Sequence, residues 1–158
     1  MSDDANSSIS IKHLPDNTST FTDIREDHSR PGLMLGLMST FVVQFSVLEQ
    51  NATVEPLLDI REHLPPHLSY KSNPSSFYQS TTNGILIVDN GLNCIHLINT
   101  VDLTIGTHSG TCTTNVSSVT DYGIDGSFNK ATYNSPTYIT SYGGNASSLL
   151  LLDLGSIR

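Results

Sequence analysis

Residues 73–95 read NPSSFYQSTTNGILIVDNGLNCI, and residues 134–157 read NSPTYITSYGGNASSLLLLDLGSI. Each stretch passes from Asn and Pro through a short aromatic segment and a Gly/Asn/Ser turn to an aliphatic run that ends at Asp. The two prolines are 62 residues apart and the two aspartates are 64 apart, so the repeat length is almost constant. Such a repeat indicates a structural unit that buries its apolar face only by stacking on a neighbour.

The first copy of the repeat predicts four consecutive strands, at residues 75–79, 85–89, 95–101 and 103–108. Composition favours the same class, because Thr, Val, Ile and Tyr suit strands while Ser, Asn and Gly suit turns. Four strands in an antiparallel meander make one propeller blade. We therefore expect an all-β fold, a partial β-propeller with about one complete four-stranded blade plus parts of neighbouring blades.

Two motifs resemble those of a known family. The first, ILIVDNGLNCIHLIN from residue 85, is similar to the NHL repeat, in which an aliphatic strand ends in Asp and a turn with Asn precedes Ile and a basic residue. His96 stands at that basic position, where the family usually has Arg. The second, DYGIDGSFNKATYNSPTYI from residue 121, resembles the connector between blades of that family. The resemblance to an extracellular-type NHL-repeat β-propeller, in part, covers residues 68–158. The second copy departs from it, because its turn lacks two residues and the counterpart of Asn93.

The repeated positions Asp89, Asn93 and Asp153 are interpreted as structural. A ring of carboxylates around a propeller channel could bind a metal, as the resemblance to lactonase-like propellers would imply. However, an Asp at the end of every copy is better explained by a carboxylate that accepts backbone N–H groups and fixes the turn. A catalytic site instead needs different residues that converge at one place.

We expect no catalytic residue, no metal and no cofactor, with calcium and zinc kept as alternatives. Asp121 and Asp125 lack the alternating ligands and the distal Glu of an EF-hand loop. His96 and His108 lie on adjacent predicted strands and could approach each other, but a zinc site needs further ligands. An enzyme is therefore less expected than a binding module.

The cysteines Cys94 and Cys112 enclose 17 residues and are predicted to form a disulfide. If the enclosed segment folds back as two antiparallel strands, Cys94 comes close to the residues before Cys112. A bridge over a loop of this size contributes about 3 kcal/mol in the chain-entropy model. Two unpaired thiols in a reducing compartment are the alternative.

Five sequons point to a secreted glycoprotein, and we take Asn51, Asn115 and Asn145 as the glycosylation candidates. The net charge of −8, without a basic stripe, excludes nucleic acid as the expected partner. The expected location is extracellular, or membrane-anchored with an extracellular propeller.

The first 67 residues form a poorly defined N-terminal region, before the repeats of residues 68–158. Within it, residues 31–48 are uncharged and follow two arginines, which is typical either of a signal-anchor or of a buried strand. Residues 51–66 predict a short helix that ends at a pair of prolines.

The expected function is that of a non-enzymatic interaction or scaffold module, a fragment of an NHL-like propeller that binds proteins or glycans. Part of a metal-dependent lyase or hydrolase propeller is one alternative, and the ectodomain of a membrane-anchored protein is another. Two blades cannot close a ring of at least four, so self-association through an open blade edge is also expected.

Overall fold

The computed structural model describes residues 10–11, 20–27, 30–46, 53–81, 84–112, 124–143 and 145–156. These residues form an all-β fold, as expected, with one short helix (Pro66–Ser69) and two 3-10 turns (Ile60–His63 and Leu154–Ser156). The strands are β1 (Ser10–Ile11), β2 (Phe21–Glu26), β3 (Leu33–Met38), β4 (Phe41–Ser46), β5 (Thr53–Asp59), β6 (Pro74–Thr81), β7 (Gly84–Asp89), β8 (Cys94–Asn99), β9 (Thr104–Gly110), β10 (Pro136–Tyr142) and β11 (Asn145–Asp153).

The strands form three successive sheets. In the first sheet, β2 to β5 are an antiparallel meander, and β1 pairs in parallel with the outer edge of β5. The second sheet is the antiparallel meander β6 to β9, and the third is the hairpin of β10 and β11. Both meanders have the strand order of a propeller blade. No sheet built from the described strands closes on itself.

The first hairpin of every sheet has the same register. Its first residue pair is Phe21 with Met38 in the first sheet, Pro74 with Asp89 in the second and Pro136 with Asp153 in the third. In each hairpin the register shifts between this pair and the next one. The first sheet is therefore a third copy of the unit, although its sequence lacks the Asn-Pro and Asp signature.

The uncharged stretch at residues 31–48 forms strands over its described part, residues 31–46. Strands β3 and β4 pair along their whole length and are joined by the two-residue turn of Ser39 and Thr40. Alternate side chains of β3 enter different apolar clusters, one on each face of the sheet. The run is apolar throughout because this strand is covered on both faces.

The helix predicted for residues 51–66 is wrong over most of its length, because β5 (Thr53–Asp59) pairs with β4. Val54 and Leu58 are buried on this strand, and Pro56 would have interrupted a helix. Helical turns begin only at Ile60, where the Asp59 carboxylate accepts a hydrogen bond from the backbone N–H of Arg61 at 3.0 Å. Pairing along β4 thus outweighs the local helical pattern.

Apolar clusters join each sheet to the next. The cluster between the first and second sheets contains Leu35, Leu37, Val42, Leu58, Ile60, Phe77, Ile85, Ile87 and Ile98. The cluster between the second and third sheets contains Leu86, Val88, Ile95 and Ile139, with Tyr78, Tyr133, Leu149 and Leu151 packed against it. The second sheet is therefore covered by neighbours on both faces, as stacked units require.

Gly91 lies in the turn between β7 and β8, where this turn is in tight contact with the chain that enters β6. A methyl group at Gly91 would overlap the backbone carbonyl oxygen of Lys71, which cannot rotate away. We expect Gly91→Ala to lower the free energy of unfolding by about 2 kcal/mol, as overpacking does. Urea denaturation followed by circular dichroism measures the loss. Gly106→Ala is the control, because its added methyl would have no atom within 4 Å; equal losses in both variants would contradict the account.

Candidate functional site

The two repeated aspartates occupy equivalent positions. Asp89 accepts a hydrogen bond from the backbone N–H of Asn73 at 2.9 Å, and Asp153 accepts one from the backbone N–H of Asn134 at 2.9 Å. Each carboxylate thus holds the start of its own hairpin against the end of that hairpin. This geometry is that of turn fixation, the role inferred from the sequence.

Asp89 is the more deeply buried of the two. Its carboxylate also accepts hydrogen bonds from Ser72 Oγ (2.6 Å) and from the backbone N–H of Leu92 (3.1 Å), and His96 Nε2 lies 3.4 Å away. Burial raises the pKa of Asp89, but the hydrogen bonds from His96, Ser72 and Asn73 outweigh it and leave the pKa below its ordinary value. The carboxylate is therefore ionised near neutral pH.

Cys94 and Cys112 form the predicted disulfide. Cys94 opens β8, opposite Gly110 at the end of β9, and the chain brings Cys112 back with a Cα–Cα separation of 4.9 Å. This separation lies within the usual range for disulfides. The bridge is compatible with an extracellular location, where disulfides persist.

Asn93 connects the second sheet to the third. It adopts a left-handed conformation with φ of 54°, which Asn tolerates better than most residues. Its Oδ1 accepts a hydrogen bond from the backbone N–H of Ser135 at 2.9 Å, and the neighbouring Asn90 donates from Nδ2 to the carbonyl oxygen of Pro136 at 3.1 Å. The turn of one unit therefore positions the first strand of the next unit.

His96 and His108 do not approach each other, because they lie on opposite faces of the second sheet. His96 is buried beside Asp89, on the face that meets the first sheet. His108 stacks on Phe128, with ring centroids 4.7 Å apart, on the face that meets the third sheet. A zinc site formed by this pair, kept as an alternative from the sequence, is therefore wrong.

Burial lowers the pKa of His108 below its usual value of 6.5. Because folding favours the neutral ring, His108 contributes stability that is present above about pH 6.5 and lost as the pH falls through the lower pKa of the folded state. We expect His108→Gln to lack this part of the pH dependence of the free energy of unfolding. NMR titration of the ring measures the pKa directly, and a value above that of a model peptide would contradict the expectation.

Three of the other sequence candidates fall outside the described residues, namely Asn51, Asn115 and Asp121. Asn145 begins β11, and nothing is described of its side chain. Asp125 is exposed in the segment before β10.

A polar cluster that sequence reasoning missed joins the first strands of the three sheets. Arg25 on β2 donates from Nη2 to Asp23 Oδ2 (2.9 Å), and to Ser76 Oγ on β6 (3.1 Å). It also donates to the carbonyl oxygen of Ile139 on β10 (3.0 Å), and its guanidinium lies 5.1 Å from the ring centroid of Tyr138. The only signal in the sequence was the period of two in a strand, which places Phe21, Asp23 and Arg25 on one face of FTDIRE.

Strand β11 is the exposed edge of the third sheet. Among the described residues it pairs only with β10, and its leucines project to both faces. Leu149 and Leu151 pack toward the second sheet, while Leu150 and Leu152 are 53% and 46% exposed. The equivalent strand of the second sheet, β7, is paired on both edges and buried at all six positions.

A cleft of about 420 Å³ lies between the second sheet and β11. Most of its lining is apolar, with Leu86, Ile95, Leu97, Phe128, Leu149 and Leu151 as the main contributors. Leu97, on β8, is 38% exposed, although most other residues of this strand are buried. The cleft therefore adjoins the edge of β11 that no described strand pairs with. It also exposes Leu97 on β8, the strand of the second sheet that a third strand added to β11 would face.

No family model matches the chain, and a search of curated proteins finds no significant match. No helix among the described residues has both the length and the apolar character needed to cross a bilayer.

Proposed function

We propose that the chain is a non-enzymatic interaction module, a partial NHL-like β-propeller that binds a protein partner along the free edge of β11. The observation that carries the proposal is the contrast between two equivalent strands. Both β7 and β11 have the continuous aliphatic sequence of a strand covered on both faces. Only β7 has that environment, whereas β11 keeps one unpaired edge and two exposed leucines among the described residues.

The cleft and the edge together specify the occupant. A strand hydrogen-bonded to β11 would lie about 4.8 Å from it, over the face of the second sheet that carries Ile95 and Leu97. Its alternate side chains would then enter the aliphatic cleft. The partner is thus an extended segment with apolar residues at every second position, bound by strand addition.

A protein suits this surface better than a glycan, because the free edge offers backbone donors and acceptors next to aliphatic side chains. The scaffold function also suits the two repeated carboxylates, since Asp89 and Asp153 each bind the turn of their own hairpin. We place the module outside the cell, which the disulfide and the sequons support.

The test uses a synthetic peptide with the sequence of residues 95–108, which contains the third- and fourth-strand sequences of the complete blade. We expect the fluorescent peptide to bind and to slow hydrogen exchange at the backbone amides of β11. Replacing Leu97, which lines the cleft, by Lys should weaken binding at least tenfold, because the bound segment would desolvate the charge. Val101→Lys, at a site 72% exposed in the turn between β8 and β9, is the matched control.

Four outcomes decide the proposal. Peptide binding that Leu97→Lys abolishes supports it, as does formation of a dimer that the same variant dissociates. A monomer that binds no peptide and protects β11 as strongly as β7 would refute it, since the edge would then be covered already. Binding of a glycan that is indifferent to the lysine variant would also refute it.

A further inference from the structure

A buried cluster of metal-ligating atoms lies beneath the turn between β7 and β8. Cys94 Sγ, Cys112 Sγ and His96 Nε2 all lie within 4.8 Å of one another. Cys94 and His96 are almost completely buried, and Cys112 is partly exposed. Asp89 is not one of these three residues, but its Oδ2 lies 3.4 Å from His96 Nε2, the ring nitrogen that also contacts Cys94 Sγ at 3.7 Å.

These distances match two edges of a tetrahedral zinc site. With Zn–N and Zn–O bonds near 2.0–2.1 Å and Zn–S bonds near 2.3 Å, a nitrogen and an oxygen ligand lie about 3.4 Å apart, and a nitrogen and a sulfur ligand about 3.6 Å apart. The His96–Asp89 and His96–Cys94 distances are 3.4 Å and 3.7 Å. The two sulfurs are bonded to each other, so the disulfide must be reduced before both can bind a metal.

We propose that reduction of the Cys94–Cys112 disulfide converts this cluster into a zinc site, with both thiolates, His96 Nε2 and Asp89 Oδ2 as ligands. The same side chains therefore cross-link the second sheet in either redox state, through the disulfide when oxidised and through the metal when reduced. This proposal differs from the prediction made from the sequence, in which no metal was expected and His96 was considered as a zinc ligand only together with His108.

The redox step needs a dithiol or a phosphine as reductant. A dithiol transfers two electrons and two protons to the disulfide, so that the S–S bond breaks, two thiols form and the dithiol closes to its own disulfide. Zinc then displaces both thiol protons to solvent. His96 loses the Nε2 proton that it donates to Asp89 in the metal-free protein and takes up a proton at Nδ1, so it binds through Nε2 as the neutral imidazole.

The hydrogen bonds to Asp89 prepare the cluster for a metal in two ways. Asp89 is held by Ser72 Oγ and by the backbone N–H of Asn73, so its carboxylate is oriented before a metal binds. Such hydrogen bonds to a ligand typically change metal affinity tenfold to a hundredfold. They also offset part of the negative charge that two thiolates and a carboxylate bring into a buried site.

The experiment titrates Co²⁺, a spectroscopic substitute for zinc, into the whole chain reduced with a phosphine. We expect one equivalent to produce the visible bands of tetrahedral cobalt and a sulfur-to-cobalt charge-transfer band, and one equivalent of zinc to abolish both. The oxidised chain should show neither. His96→Gln should weaken binding at least tenfold, as loss of a ligand must exceed loss of a supporting hydrogen bond. His108→Gln, on the opposite face of the same sheet, should bind like the wild type.

Circular dichroism of the reduced chain keeps the test decisive if reduction unfolds it. Zinc should then restore the β-sheet spectrum, because metal binding supplies folding free energy. A reduced chain that binds no cobalt and regains no structure with zinc would overturn the proposal. Equal affinity in the wild type and His96→Gln would overturn it too, since the metal would then be held by the thiolates alone.

Discussion

Phe77→Ala is expected to lower the free energy of unfolding by about 4 kcal/mol, within the range for buried Phe to Ala changes. Phe77 is 2% exposed and lies in the apolar cluster between the first and second sheets. Its ring also lies 5.4 Å from the guanidinium carbon of Arg25, which belongs to the cluster that joins the first strands of the sheets. Urea denaturation followed by circular dichroism measures the loss.

Phe128→Ala is the matched control, because Phe128 is 66% exposed. Its loss should stay near 0.5 kcal/mol or below, as for surface substitutions generally, so about 3 kcal/mol or more should separate the two variants. If Phe77→Ala and Phe128→Ala lowered the free energy of unfolding equally, the first and second sheets would not share the buried surface described above.

Asp89→Ala is expected to cost about 3 kcal/mol in the oxidised protein. The substitution removes the acceptor for Ser72 Oγ and for the backbone N–H groups of Asn73 and Leu92. Buried donors without an acceptor carry a penalty of about 1–3 kcal/mol each, and local rearrangement recovers part of the sum. Denaturant unfolding at neutral pH measures the effect.

Asp153→Ala provides the control for this prediction, since Asp153 accepts a hydrogen bond from Asn134 in the equivalent place. Asp153 is only partly buried, so water can satisfy the amide when the carboxylate is removed. The loss should therefore be less than half that of Asp89→Ala. A larger loss at Asp153 would show that burial does not set the cost of this repeated contact.

The second sheet was predictable from sequence because its signals are local. An aliphatic run bounded by Gly and Asn gave β7, observed at Gly84–Asp89, within one residue of the predicted 85–89. The disulfide was also predictable, since two antiparallel strands fold the segment between Cys94 and Cys112 back on itself. Each of these features depends on residues fewer than 20 positions apart.

The first sheet was not predicted, because its sequence lacks the local signature of the repeat although its first hairpin has the same register as those of the other sheets. Met38 occupies the position of the repeated Asp, and a two-residue turn at Ser39 and Thr40 replaces the longer turn of the second sheet. A tighter turn needs no carboxylate to hold it. The apolar run that remains is equally typical of a membrane segment and of a strand covered on both faces.

The cluster around Arg25 was beyond sequence reasoning because its members are distant in the chain. Arg25 contacts Ser76 across 51 positions and Ile139 across 114. The contact of His96 with Asp89 depends on which face of β8 meets the first sheet, and no local pattern fixes that orientation. The leucine run of β11 was visible, but its exposure depends on strands that neighbour it.

The central claim is that successive sheets are stabilised through the apolar surface they share, and native-state hydrogen exchange tests it most directly. The account predicts that the slowest amides of β3 and β4 open with the same free energy as those of β7 and β8, because the first two sheets unfold together. Amides of β11 should open at lower free energy. If the slowest amides of the first sheet instead opened with a free energy that differs by several kcal/mol from that of the second sheet, each sheet would fold on its own. That result would contradict the account.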